Sequence, residues 1–143
     1  MPELEARALR LLARRDHSRA ELRAKLAPLA ESTEQLDALL DDLEARQLLS
    51  DRRFASLRVA SRAPRLGNTR LRLELKSRGV DDATIAAALP EAGEELGRCC
   101  AVRERKFGDL PGSAEDRARQ YRFLHTRGFS PDAIRRALAG GED

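Results

Sequence analysis

The 143-residue sequence has no tryptophan, one tyrosine and four phenylalanines, so aromatic residues make up only 3% of it. A compact single core usually leans on large aromatic side chains. With 41% hydrophobic residues, rich in Leu and Ala, the chain points instead to close helix packing in small bundles. No stretch approaches the ~20 apolar residues of a membrane span, so no membrane contact is expected. The opening Met1-Pro2-Glu3-Leu4-Glu5 lacks the basic and apolar regions of a secretory signal. The two cysteines adjoin as Cys99-Cys100. Neighbours rarely pair, and two thiols make neither a disulfide framework nor a zinc site. They read as small core thiols in a reducing cytoplasm.

Catalytic signals are missing as well. There is no G-x-x-x-x-G-K-[ST], no G-x-G-x-x-G and no H-E-x-x-H. His17 and His125 are the only histidines and stand 108 residues apart, each without a catalytic constellation. His17 precedes an N-cap and reads as its solvent-facing neighbour. The acidic pairs Asp41-Asp42, Asp81-Asp82, Glu94-Glu95 and Glu115-Asp116 are sequence neighbours, which point ~100° apart on a helix and make no site by themselves. Three of the pairs fall near helix starts, where negative charge suits the dipole. No cofactor, metal or enzymatic activity is expected.

Charge is what the chain has in quantity. Charged residues are 36% of it, yet the net charge is only +3. Residues 1–50 hold 8 basic and 10 acidic side chains, residues 51–90 hold 9 and 4, and residues 91–143 hold 10 and 10. The positive field therefore sits in the middle, which points to a polyanionic or acidic partner. Arginine supplies 24 of the 27 basic residues. Its planar fork suits phosphate and carboxylate, although a GC-rich genome enriches it too.

Apolar residues recur with helical spacing: Leu4, Ala8, Leu11 and Leu12; Leu22, Leu26 and Leu29; Leu36, Leu39, Leu40 and Leu43. Ser18 with Glu21 fits a capping box, and Ser130-Pro131 fits an N-cap with proline at the first helical position. Gly79 and Gly128 stand where helices end in a left-handed residue. The pattern also repeats. Leu75-Lys76-Ser77-Arg78-Gly79-Val80 matches Leu124-His125-Thr126-Arg127-Gly128-Phe129 at an offset of 49. The same offset links Ile85 and Leu89 to Ile134 and Leu138, and carries Leu71, Leu75, Ile85 and Leu89 back to Leu22, Leu26, Leu36 and Leu40. In the third copy Gln120 interrupts the first of these positions. The reading is all-α: three tandem three-helix repeats, 1–50, 51–90 and 91–143, in an elongated, curved array. Helices are expected over 3–15, 18–28 and 33–46; 51–62, 69–78 and 82–89; and 91–107, 114–127 and 131–139.

Basic residues are the candidate contacts. Arg58, Arg62 and Arg65 follow i, i+4, i+7 spacing behind Arg52 and Arg53. Arg72 and Lys76 share a face, and Arg70 with Glu74 forms an i, i+4 pair suited to a surface salt bridge. In the third repeat Arg122, Arg127, Arg135 and Arg136 form a second, acid-diluted group. Either group is a partner surface or a solvated face. Aromatic interleaving of the kind that stacks bases is absent from the sequence, so base-specific reading is not expected.

Three motifs in order resemble the RecX family of recombinase regulators. Leu12-Ala13-Arg14-Arg15-Asp16-His17-Ser18-Arg19-Ala20-Glu21-Leu22 through Lys25-Leu26 is similar to that family's "L-x-x-R-x-x-S-x-x-E-L-x-x-K-L". Asp51-Arg52-Arg53-Phe54-Ala55, with Gly67, Arg70, Glu74-Leu75 and Arg78-Gly79, resembles its second segment. Lys106-Phe107-Gly108 and Phe123-Leu124-His125-Thr126-Arg127-Gly128-Phe129 resemble its third. The chain departs from the family at Arg58, where an aromatic is usual and Leu57 or Val59 must fill the core. It departs again at Pro28-Leu29-Ala30, where a glycine turn is usual. The three stacked triplets predict a long cytoplasmic monomer, and the resemblance implies a non-enzymatic protein that binds the RecA recombinase filament and lies along its groove. It implies inhibition of ATP hydrolysis and strand exchange, and so negative regulation of recombination, DNA repair and the SOS response. Weak, non-specific DNA binding is implied as well. The alternative is a general nucleic-acid-binding helical module of helix-turn-helix type, which would present one recognition helix.

Overall fold

The computed structural model describes residues 2–141, and among them every regular element is helical. The first triplet is α1 (Pro2–Arg14), α2 (Arg19–Leu26) and α3 (Thr33–Ala45). The second is α4 (Asp51–Arg62), α5 (Asn68–Ser77) and α6 (Asp82–Ala88). The third is α7 (Glu95–Phe107), α8 (Ala114–Thr126) and α9 (Pro131–Leu138). All three follow the expected segments closely, with the largest shift at the start of α7. Residues Leu89–Ala92 form a 3-10 turn around Pro90, and Gly93, with φ 81°, ends it before α7 begins. No helix among the described residues is long and apolar enough to cross a membrane.

Local chemistry accounts for the helix starts. Ser18, Ser32, Ser50, Asp81, Ser113 and Ser130 each accept the backbone N–H three residues on. Such a cap is worth about 1 kcal/mol. Ser18 and Glu21 close a complete capping box. The turns after α5 and α8 use Gly79 and Gly128 at φ 81° and 89°.

Each triplet buries its own core. Leu4, Ala8, Leu22, Leu26, Leu36, Leu40, Leu43 and Leu49 form one cluster, Phe54 through Ala88 a second, and Cys99 through Leu138 a third. The 49-residue register holds in space: Leu26, Leu75 and Leu124 are all fully buried, as are Ile85 and Ile134. Gln120 keeps the buried place of Leu22 and Leu71 despite its amide. Leu89 departs from the register. The 3-10 turn begins there, so it is only half-buried and Ala88 is buried beside it. Val59 is fully buried while Leu57 is 52% exposed, so Val59 fills the core beside Arg58. At the other departure, Ala27–Leu29 makes a 3-10 turn with Pro28 at its start and leaves Leu29 exposed. The accessible surface is 8277 Å², against about 7,400 Å² for a compact monomer of this mass. That excess fits three small cores in an elongated array.

Two joints of the same design connect the triplets. At the first, Ser18 Oγ donates to the Arg78 carbonyl oxygen at 2.6 Å and Arg78 reaches Glu21 at 2.6 Å. The Arg19 amide donates to Asp51, the first residue of α4, at 2.7 Å. At the second, the Gly67 amide donates to the Arg127 carbonyl at 2.8 Å and the Thr69 amide to the Gly128 carbonyl at 3.1 Å. The Asn68 amide donates to Glu95, the first residue of α7, at 2.8 Å. In both, the leading acid of one triplet accepts an amide from the open N-terminus of the preceding triplet's middle helix, while the Arg-Gly turn accepts from the Ser18 hydroxyl at the first joint and from two amides at the second. Glycine is required by proximity as well as by φ. A Cβ on Gly79 would lie 2.3 Å from the Ala20 Cβ, and one on Gly128 would lie 2.3 Å from the Arg70 Cβ.

Candidate functional site

The middle triplet's basic residues divide into engaged and unengaged groups. Arg58 and Arg62, on α4, converge on Glu74 of α5 at 3.8 and 2.9 Å. Glu74 is thus taken by α4, and the expected Arg70–Glu74 pair does not form. A bridge between packed helices is better shielded than an exposed i, i+4 contact. Arg65 falls beyond the end of α4, in the turn after Arg62, so it does not extend the face that Arg58 and Arg62 share. Arg52 pairs with Glu91 at 3.3 Å, and Arg53 with Asp16 of the first triplet at 2.7 Å. Lys76 meets Asp82 at 3.3 Å with both side chains mostly exposed, a pair of little strength in water. Arg65, Arg70 and Arg72 are exposed and have no charged partner among the described residues. The unbalanced charge of residues 51–90 therefore appears chiefly there.

In the third triplet, Arg122 and Arg135 come together with Arg117 along a groove of about 440 Å³ floored by Ala114, Ala118 and Tyr121. Sequence reading missed Arg117 and Tyr121, whose i, i+4 spacing on α8 was the available signal. Arg135 and Arg136 both reach Asp132, at 3.5 and 3.8 Å. Arg127 lies 4.7 Å from the centre of the Phe123 ring, and Lys106 lies 5.2 Å from it. Phe107 meets Phe123 edge-on at 5.5 Å, and Arg119 covers Phe107 at 5.0 Å. Aromatics and cations that do not interleave along the chain are thus stacked by the packing of α7 on α8. Such contacts are worth about 0.5–1 kcal/mol each at exposed sites.

Arg98 and Arg105 also escaped the sequence reading, and they serve the second joint. Arg98 donates to the carbonyls of Ala63 and Leu66 and to Asn68 Oδ1, and Arg105 donates to the Pro64 carbonyl at 2.7 Å. Their partners lie 30 or more residues away, beyond any local pattern.

His17 corrects an expectation. It is 2% exposed rather than solvent-facing. Its Nδ1 lies 3.0 Å from the Arg15 carbonyl oxygen and its Nε2 3.0 Å from Lys25 Nζ. Burial holds its pKa below the usual value against the opposing hydrogen bond to the Arg15 carbonyl, and the Arg15 and Lys25 charges press it down further. Glu21 behaves oppositely. Burial alone would raise its carboxyl, but hydrogen bonds from Arg15, the Ser18 amide and Arg78 hold it down to about 2. Burial pushes the Cys99 thiol up to about 12, which removes the thiolate needed for reactivity at neutral pH. No three of His, Cys, Asp and Glu gather into a metal-binding group among the described residues.

Three consecutive family models match this arrangement: the first three-helix domain of RecX over residues 6–43, the second over 50–89 and the third over 93–138. The chain belongs to the RecX family. It is 46% identical over 140 residues to the regulatory protein RecX of Chromobacterium violaceum, covering 98% of this chain and 91% of that one. The corresponding protein of Ralstonia nicotianae is 47% identical over 140 residues, covering 97% and 88%. The crystal structure of RecX from Lactobacillus salivarius superposes with a TM-score of 0.84 at 21% identity, covering 98% of this chain and 95% of that one. That likeness extends the shared fold to distant sequences. Within the family frame, the Arg-Gly turns and the Ser18 segment are joint residues, while Phe107 and Phe123 form the aromatic stack.

Proposed function

We infer that this chain binds the nucleoprotein filament of the RecA recombinase and inhibits its ATPase and strand exchange. Family membership supports a regulatory role. The observation that carries the filament reading is the array itself: three separate cores linked by two repeated joints, with unengaged arginines on the middle triplet. A long, thin surface suits a polymeric partner better than a concave ligand site does. Arg65, Arg70, Arg72 and Lys76 are the contact residues of the middle triplet, and Arg117, Arg122 and Arg135 those of the third. Arg58, Arg62 and Arg53 act mainly within the protein, because their partners are its own acids. Contact with bare DNA is weak and phosphate-directed, so it lacks sequence preference.

The test is a recombinase ATPase assay on single-stranded DNA, titrated with this protein and with a double variant, Arg72→Glu with Lys76→Glu. Both side chains are exposed, and reversing two interfacial charges weakens binding by more than 1.4 kcal/mol, which is about tenfold. Inhibition should weaken about tenfold or more while thermal unfolding is unchanged. Inhibition equal to the parent's shifts the contact surface to the third triplet.

A further inference from the structure

Where α1 runs into α2, a cavity of about 340 Å³ is lined by Leu11, Arg14, Arg15, His17 and Lys25, with no carboxylate among the lining side chains. Of the acids close by in sequence, Asp16 pairs with Arg53, while Glu21 pairs with Arg78 and with Arg15 itself, so the Arg15 fork is already taken. Arg14 has no hydrogen-bond or ion-pair partner among the described residues, and Lys25 has only His17. A carbonyl oxygen only accepts, so the contact with Arg15 places the imidazole proton on Nδ1. Nε2 then accepts from the Lys25 ammonium. A neutral imidazole orients that ammonium without cancelling its charge, and leaves two of its three N–H donors unused. Among the described residues, no carboxylate meets the Lys25 ammonium. It lines a cavity together with the unpartnered Arg14 guanidinium and with Arg15, whose fork lies on Glu21.

The geometry points to a binding site for a phosphate-class anion in this cavity, held by Lys25 and Arg14, with His17 as the positioning residue for Lys25 and Arg15 left on Glu21. Guanidinium forks grip phosphate through paired N–H donors, and an ammonium adds a point charge. The volume exceeds what a bare phosphate fills, so a phosphate monoester fits the same chemistry. Free phosphate and the phosphate of a nucleic acid are the two sources. The groups facing His17 are Arg15, Lys25 and Glu21. A bound dianion adds negative potential to them and favours the protonated ring.

His125, exposed and stacked on Tyr121 at 6.1 Å, borders the Arg117, Arg122 and Arg135 groove and reports on that surface separately. Inorganic phosphate is added to the full chain at constant ionic strength, with chloride as the matched salt, while NMR follows both imidazole rings. His17 signals should move saturably with phosphate and not with chloride, and its titration midpoint should rise, whatever His125 does. Lys25→Gln and, separately, Arg14→Gln should each weaken phosphate binding about tenfold without changing thermal unfolding. Arg14 is exposed and unpartnered, so its variant stays informative even where Lys25→Gln loosens the fold. Movement of His17 by chloride as much as by phosphate, or parental affinity at His17 in both variants, overturns the site. Competition by a 5′-phosphorylated oligonucleotide but not its 5′-hydroxyl twin assigns a terminal phosphate as the source. Competition by both assigns the nucleic-acid backbone, and competition by neither assigns free phosphate.

Discussion

Replacing Gly67 with alanine adds one methyl group to the joint between the second and third triplets. The Gly67 backbone is extended, with φ −80° and ψ 170°, so alanine adopts it without strain. The whole effect then comes from what the methyl meets. Its carbon would lie 2.3 Å from the Gly128 carbonyl carbon, the Gly128 oxygen and the Phe129 nitrogen. These are backbone atoms and no rotamer change moves them aside. Ordinary contact begins at 3.4 Å, so the two triplets must separate locally by about 1 Å. That movement breaks the Gly67-to-Arg127 and Thr69-to-Gly128 hydrogen bonds of 2.8 and 3.1 Å. Each contributes about 1 kcal/mol, and overpacking adds about 1 kcal/mol or more. Alanine also reduces the freedom of the unfolded chain, which offsets about 0.4–1 kcal/mol. The net expectation is a loss of about 2–3 kcal/mol, the sum of these terms. Urea unfolding measures it, and amide hydrogen exchange should show faster opening at residues 67 and 69. Gly97→Ala is the control. It lies inside α7 with nothing within 4 Å of a new Cβ, so it should stabilise by about 0.5–1 kcal/mol. A Gly67→Ala protein that unfolds within about 0.5 kcal/mol of the parent, with unchanged exchange at Thr69, would refute the joint as described.

Four further outcomes follow from the same structure. Leu75→Ala should lose about 2–5 kcal/mol in urea unfolding, because its side chain is fully buried in the middle core. Gln120→Leu should raise the thermal midpoint: the amide oxygen is buried without a partner, and its nitrogen makes only long contacts of 3.3 and 3.4 Å. Glu21 has a lowered folded pKa, about 2 against 4.5, so its contribution is complete above pH 4.5 and is lost as pH falls toward 2. Screening at its partly exposed arginine partners reduces that contribution to on the order of 2 kcal/mol, and an acid titration of Glu21→Gln should show the acid limb flattened by that amount. Fluorescence anisotropy with bare DNA should show affinity collapsing between about 50 and 200 mM salt with no preferred sequence; retained affinity favours a helix-turn-helix reader.

Helices, caps and repeat register were determined by the sequence itself, because the interactions behind them span three or four residues. Ser18 with Glu21 and Ser130 with Pro131 announce their helices wherever the chain goes. The offset of 49 places Leu26, Leu75 and Leu124 in equivalent cores because each core is built from one short stretch of chain. Tertiary structure decided which charges are spent. Glu74 looks like a partner for Arg70 four residues away, yet α4 packs beside α5 and brings Arg58 and Arg62 to it instead. The Arg-Gly turn reads locally as a helix stop, and only assembly reveals that its carbonyls accept from the preceding triplet, from the Ser18 hydroxyl at one joint and from the Gly67 and Thr69 amides at the other. His17 sits in a polar stretch of sequence, but the closing of α2 against α1 buries it and hands its free nitrogen to Lys25. Periodicity reports which face of a helix is apolar. It carries no information on which neighbour arrives at the polar face, since that neighbour comes from 12 residues away at Glu74 and from 60 at Arg78.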